Sequence, residues 1–232
     1  MEEHNNDLDT FSRQWKKLVE NNELDKCEQF CVESINRVSD RIRTIEGYTN
    51  KSENNRGALE ALRTLRGGFR YMYGILLHNY LERYDEAVRQ YDQCVQECPS
   101  NANAHCSWGS LCRDVFQLIE KKEFFLKIND NENAEYHFRK AIELQPKDAI
   151  CHDNYGLFLF KQLNNYDEAL RMLNKAVELK PQMSQAHSHL AEIYHEHFKD
   201  FQRAHEHFKK AIEYDKHNPD KYLDYGIVQY FF

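Results

Sequence analysis

The sequence predicts an all-α protein, organised as a right-handed α-solenoid of stacked antiparallel helix pairs. Three observations predict this class. Small residues and prolines recur with a fixed period, and the apolar residues between them fall at helical spacing. Glycine and proline are also scarce, with 8 Gly and 4 Pro among 232 residues, which argues against turn-rich sandwiches and barrels.

The repeat has a period of about 35 residues. Ala134, Ala169 and Ala204 are each 35 residues apart, and so are Pro146 and Pro181. Four of the glycines, Gly74, Gly109, Gly156 and Gly226, follow the same register, with one step longer by 12 residues and one step of 70 that skips a repeat. Because one such unit is too small to bury an apolar face alone, stacked neighbours must share a continuous core.

Each unit predicts two helices joined by a short polar break. In the clearest unit, residues 152–160 predict the first helix and residues 162–165 the break. Residues 167–179 carry an apolar stripe and predict the second helix, in which Ala176 lets the two helices approach closely. Pro181 cannot continue that helix, so it begins the next unit.

These residues resemble the tetratricopeptide repeat (TPR) family, whose pattern is W-x2-L-G-x2-Y, followed by A-x3-F, A and P. The clearest copy here reads His152-x2-Tyr155-Gly156-x2-Leu159, Ala169-x3-Leu173, Ala176, Pro181. The other full copies begin at Arg70, His105 and His187, and a half copy follows at Tyr222. The usual Trp is thus replaced by His three times and by Arg once. The resemblance implies a TPR-like superhelix.

The chain is expected to contain three segments. Residues 1–45 predict a degenerate helical hairpin that covers the first unit, with Asp9 and Thr10 capping its first helix. Residues 46–57 form a polar linker, and residues 58–232 hold four full repeats and a terminal half repeat.

One unit carries an insertion of 12 residues between Gly109 and Ala134. We expect it to lengthen the first helix of that unit, by about 18 Å if it is wholly helical. The polar residues 129–133 then make the turn into the second helix.

The histidines raise the possibility of a zinc site. His189, Glu192 and His195 are spaced i, i+3, i+6, and imidazoles with a carboxylate suit that metal. Three other histidines, His105, His152 and His187, occupy the same slot at the start of their repeat copies. A shared slot favours a packing role, in place of the aromatic residue of the family pattern. We therefore expect no metal site and no cofactor.

The seven cysteines predict a reducing compartment. Their number is odd, no secretory signal precedes them, and the pairs Cys27/Cys31 and Cys94/Cys98 have helical rather than C-x2-C spacing. We expect free, packed thiols in a cytoplasmic protein, with the nucleus also compatible.

Apolar runs are too short to cross a bilayer, so no membrane insertion is expected. Without a Walker loop, H-E-x-x-H or nucleophile elbow, no enzyme activity is expected either.

A basic stripe is the main charge feature of a chain whose net charge is −7. Arg56, Arg63, Arg66 and Arg70 recur at intervals of 7, 3 and 4 residues, on one face of a helix. The stripe could bind phosphate or an acidic peptide, be a solvated face, or pair with the acidic N-terminal hairpin. An RNA- or phosphate-binding helical-repeat protein is therefore the second function considered, although the net charge makes a nucleic-acid partner unlikely.

The resemblance implies a non-catalytic scaffold or adaptor for protein–protein interaction. Its partner, a peptide or helix, would bind in the concave groove formed by the first helices. Slot by slot, the family's groove positions fall at Tyr71, Met72, Ile75, Cys106, Ser107, Ser110, Arg113, Asp153, Asn154, Leu157, Ser188, His189, Glu192 and His195. A third function is the accessory TPR region of a larger enzyme or complex.

The resemblance also excludes one subclass of partner. TPR domains that hold a chaperone's C-terminal carboxylate use a Lys/Asn clamp, whose positions would fall at Tyr71 and Ile75, or one unit later at Cys106 and Ser110. None of these side chains forms an ion pair with a carboxylate, so a co-chaperone role is disfavoured.

The C-terminal residues predict a first helix without its second. Its apolar stripe consists of Leu223, Ile227, Tyr230 and Phe231. This stripe could drive self-association, mark a fragment of a longer array, or fold back on the fourth unit.

Overall fold

The computed structural model describes residues 2–47, 53–118 and 131–216, and in these ranges it is helical, with no strand. The chain divides into two compact units, residues 1–111 and 112–232. The predicted all-α class of antiparallel helix pairs is confirmed.

Unit 1 begins with two helix pairs and ends within a fifth helix. The helices are α1 Glu2–Glu20, α2 Leu24–Gly47, α3 Glu53–Asn79, α4 Tyr84–Glu97 and α5 Ala102–Leu118, the last of which continues into unit 2. Aromatic rings join the two pairs, because Phe11 of α1 stacks on Phe30 of α2 and on Phe69 of α3, with centroids 4.7 and 4.3 Å apart.

Unit 2 holds two complete helix pairs and the helix before them. The helices are α6 Asn131–Leu144, α7 Ala149–Lys161, α8 Tyr166–Leu179, α9 Ser184–Ile193, a π-helix Tyr194–Phe198 and α10 Phe201–Tyr214. Helix α7 packs on α8, and α9 packs on α10. The helices predicted at 152–160 and 167–179 are thus confirmed, each starting slightly earlier in the chain.

The glycine of the repeat pattern lies where the two helices of a pair touch. A Cβ atom at Gly156 would lie 2.7 Å from Cγ of Leu173, and one at Gly74 would lie 2.6 Å from Cε1 of Tyr91. Only a residue without a side chain allows this approach.

The predicted cap at Asp9 and Thr10 is wrong, because both residues lie inside α1, which begins at Glu2. Glutamates at positions 2 and 3 favour this earlier start, since acidic residues stabilise the positive end of the helix dipole. The side chain of Thr10 accepts a hydrogen bond from Arg13 instead of capping the backbone.

Several other predictions concern segments that lie partly or wholly outside the described residues. Of the linker predicted at 46–57, residues 46–47 belong to α2 and residues 53–57 to α3. In the segment that holds the insertion, α5 extends to Leu118 and residues 119–130 lie outside the described residues. The C-terminal stripe Leu223, Ile227, Tyr230 and Phe231 also lies outside them. Helix α6 begins at Asn131, within the turn predicted at 129–133.

Candidate interaction surface

Three first helices contribute side chains to one surface of unit 2, here called the first-helix face. It comprises Arg113 and Asp114 from α5, Asp153, Asn154, Leu157 and Lys161 from α7, His189 and Glu192 from α9, and Glu196 from the π-helix. Polar contacts join these helices in three places.

The first contact links α5 to α7. The guanidinium of Arg113 donates from Nη1 to Oδ1 of Asn154 at 3.0 Å and from Nε to Oδ1 of Asp114 at 2.8 Å. The Arg113 side chain is only 13% exposed, so its charge is compensated within the face.

The second contact links α7 to α9. Nδ1 of His189 lies 2.8 Å from Oδ1 of Asp153, whose side chain is only 4% exposed. Because a carboxylate oxygen accepts, Nδ1 carries the proton, and in the neutral ring Nε2 is an acceptor. Nε2 makes no hydrogen bond to any described residue.

The third contact places one ammonium between two carboxylates. Nζ of Lys161 lies 3.0 Å from Oε2 of Glu192 and 3.3 Å from Oε2 of Glu196. Burial by itself would lower the pKa of Lys161, but the two carboxylates together outweigh burial and raise it. Lys161 therefore stays charged at neutral pH.

Sequence reasoning identified part of this face. It found Arg113, Asp153, Asn154, Leu157, His189 and Glu192, but it missed Asp114, Lys161 and Glu196. The repeat register could have found two of them, because Lys161 and Glu196 are 35 residues apart and occupy the same slot.

Two further groove candidates, Ser188 and His195, lie on α9 and on the π-helix that follows it. Ser188 is buried, and its hydroxyl donates to the carbonyl of Ser184 at 3.3 Å. The ring of His195 lies 5.6 Å from that of Phe201 at the start of α10. Within the described residues, no three His, Cys, Asp or Glu side chains are grouped to hold a metal ion.

The groove candidates of unit 1 offer a different surface. Tyr71, Met72, Ile75 and Ser107 are half-buried, whereas Cys106 and Ser110 are buried. The Ser110 hydroxyl donates to the carbonyl of Cys106 at 3.1 Å, so it is bonded within its own helix.

The basic stripe separates into two parts along α3. Arg66 and Arg70 share the carboxylate of Glu97 on α4, at 2.8 and 3.4 Å, and their side chains are mostly buried. Arg63 pairs with Glu46 of α2 at 2.9 Å, and Arg56 is exposed. Arg63 thus pairs with the N-terminal hairpin, as one of the three interpretations expected, whereas Arg66 and Arg70 pair with α4.

The three histidines of the shared slot are packing residues, as predicted. His105, His152 and His187 are at most 4% exposed. Each ring donates to a backbone carbonyl just before its helix, at Pro99, Asp148 and Pro181, over 3.2, 2.8 and 3.0 Å. A polar ring can therefore replace the aromatic residue without leaving its N–H unsatisfied.

Part of the chain matches the model of a known protein family. Residues 159–221 match the family model described as tetratricopeptide repeat. This segment of the chain therefore resembles the tetratricopeptide repeat. No curated protein matches the sequence.

Solved structures match almost the whole chain, and two of them are TPR proteins. A thermophilic TPR protein of Thermus thermophilus matches with a TM-score of 0.68 at 16% identity, over 96% of this chain and 99% of that one. A tetratricopeptide repeat protein of Parabacteroides merdae gives 0.61 at 13% identity, over 96% and 72%. The protein MamA of Desulfovibrio magneticus gives 0.54 at 19% identity, over 91% and 97%. These likenesses establish the TPR fold.

No helix among the described residues is both long enough and apolar enough to cross a membrane.

Proposed function

We propose that this TPR chain is a non-catalytic scaffold or adaptor that holds a partner peptide or helix on the first-helix face of unit 2. One observation carries the proposal. Arg113, Asp153 and Lys161 each contact the next first helix along the chain, so the face is an ordered surface. Ordered side chains lose little entropy on binding, which favours recognition of a partner.

The cytoplasm is the proposed location. All seven cysteines are free and buried, which suits a reducing compartment. Self-association through the C-terminal stripe remains a prediction. RNA or phosphate binding by the basic stripe has no separate support, because Arg66 and Arg70 already share Glu97.

Partner recovery from cell extract tests the proposal. The tagged full chain is compared by mass spectrometry with the double variant Arg113→Glu, Glu192→Lys, which reverses two charges on the face. The matched control is Arg139→Glu, Glu178→Lys, which reverses two exposed charges on the second helices α6 and α8.

We expect the wild type and the control to recover the same partners and the face variant to lose them. If a folded face variant, verified by circular dichroism, recovers the same partners, the first-helix face of unit 2 is not the binding surface.

A further inference from the structure

We propose that the partner segment on the first-helix face of unit 2 is basic, with an arginine or lysine side chain lying between α7 and α9. This inference rests on the proposed function and specifies the chemistry of the partner.

The first argument is the charge between α7 and α9. Glu192 and Glu196 share the single ammonium of Lys161, so this group carries one excess negative charge. The Glu192 and Glu196 side chains are 25% and 51% exposed, so a guest cation can reach them. A second cation would relieve the repulsion between the two carboxylates.

A buried carboxylate adds to this excess. The carboxylate of Asp153 is 4% exposed and accepts a hydrogen bond from Nδ1 of His189 at 2.8 Å. Three carboxylates on α7, α9 and the π-helix, those of Asp153, Glu192 and Glu196, thus lie on this face with the single ammonium of Lys161 and the ring of His189. The face therefore attracts a positively charged segment from solution.

The hydrogen-bonding groups agree with the charge. The carboxylate oxygens of Glu192 and Glu196 are acceptors, so the partner must supply donors. A guanidinium has five N–H donors, and an ammonium has three. A basic side chain satisfies several of these acceptors at once.

The cations of the face do not favour an acidic partner. Arg113 is neutralised by Asp114, and Lys161 is outnumbered by its carboxylates. Within the described part of this face, no cation is therefore left to hold a carboxylate or phosphate.

Leu157 supports the apolar part of such a side chain. It is half-buried and lies on α7 one turn after Asn154 and one turn before Lys161. Arginine and lysine place their methylene stems on apolar surface while the charged head stays with polar partners.

The test uses a short random-peptide library selected on the full-length chain, followed by fluorescence anisotropy with the selected peptides. The variant Glu192→Gln, Glu196→Gln removes two charges from the face. Its matched control, Glu143→Gln, Glu178→Gln, removes two exposed carboxylates that also pair with lysines, on α6 and α8.

We expect the selected peptides to share an arginine or lysine and to bind the face variant at least about tenfold more weakly, since a charge-assisted hydrogen bond contributes this much. The control should bind them as the wild type does. Replacing the shared basic residue by alanine should cost a similar factor.

Two results would overturn the inference in distinguishable ways. If neutral or acidic peptides are selected and lose binding in the folded variant Leu157→Lys, the face binds partners but not basic ones, and only this inference fails. If no peptide responds to any substitution on the face, the proposed function fails with it.

Discussion

Individual histidines show how one residue can replace the usual aromatic of the repeat. His187 donates from Nε2 to the carbonyl of Pro181, so Nδ1 of the neutral ring is an acceptor. His207 then donates from its own Nδ1 over 3.0 Å. Protonation of His187 would remove this acceptor, so the pair is built for two neutral rings.

The first prediction concerns the pH dependence of stability. Burial, then the nearby His187 and Lys210, lower the pKa of His207 from 6.5 to about 4. Between pH 4 and 6.5, His207 binds more protons in the unfolded chain than in the folded one. The contribution of neutral His207 to the free energy of unfolding is therefore complete above pH 6.5 and is lost as the pH falls towards 4. Urea unfolding near neutral pH and at about pH 5 measures the loss.

The variant His207→Phe is the control for this effect, because it keeps a ring and removes the titration. We expect its free energy of unfolding to change less than that of the wild type over the same pH interval. Equal changes in both proteins would mean that other groups cause the pH dependence.

The second prediction concerns Gly156, where helix contact leaves no room for a side chain. Gly156→Ala would place Cβ 2.7 Å from Cγ of Leu173, so we expect a loss of about 1–3 kcal/mol in unfolding free energy. Gly57→Ala is the matched control, since nothing lies within 4 Å of its Cβ position. That change should be neutral or stabilising by up to about 1 kcal/mol. Equal effects at both glycines would contradict the close approach of α7 and α8.

At the scale of elements, the turns inside the helix pairs share one backbone feature. Asn22, Glu82, Asn164 and Lys199 have positive φ angles, between 52° and 57°. Each lies between the first and second helix of a pair. Asparagine tolerates this conformation, but glutamate and lysine are strained in it.

The third prediction uses that strain. Lys199→Gly should raise the free energy of unfolding by up to about 1 kcal/mol. The left-handed conformation costs a residue with a Cβ atom about 1–2 kcal/mol, and glycine avoids this cost. The greater freedom of glycine in the unfolded chain offsets part of the gain. Thermal and urea unfolding measure it. Lys199→Ala keeps Cβ and should give no gain, so an equal gain from alanine would show that strain is not the cause.

At the scale of the whole molecule, the chain keeps its thiols out of water. All seven cysteines are free and buried, although they are spread over both units. Burial, with smaller effects of Cys98 and Glu97, raises the pKa of the Cys94 thiol to about 12. The Cys94 thiol is therefore almost entirely protonated, and so unreactive, at neutral pH.

The fourth prediction follows from this burial. Ellman's reagent should react slowly with the native chain, and seven thiols per chain should react at once after unfolding in guanidinium. Rapid reaction of several thiols in the native protein would contradict their burial. An identical chain kept under reducing conditions until the assay controls for prior oxidation.

The sequence by itself determined the repeat, the paired helices and the packing role of the slot histidines. All three features follow from the periodicity of the sequence. Small residues such as Ala176 and Gly156 recur where two helices that are neighbours in the sequence pack closely. The start of α1 was missed, since good capping residues at Asp9 and Thr10 do not stop a helix that acidic residues begin earlier.

Only the tertiary structure decided which charges are available on the surface. The sequence left open whether Arg70 binds a ligand, is solvated or pairs with the N-terminal hairpin, and the structure pairs it instead with Glu97 of α4, 27 residues away. Lys161 and Glu196 share a repeat slot, but only the tertiary structure places Glu192 of α9 and Glu196 of the π-helix beside the Lys161 ammonium. Helix formation depends on near neighbours, whereas an ion pair depends on which helices stack and on side-chain conformations that no local pattern specifies.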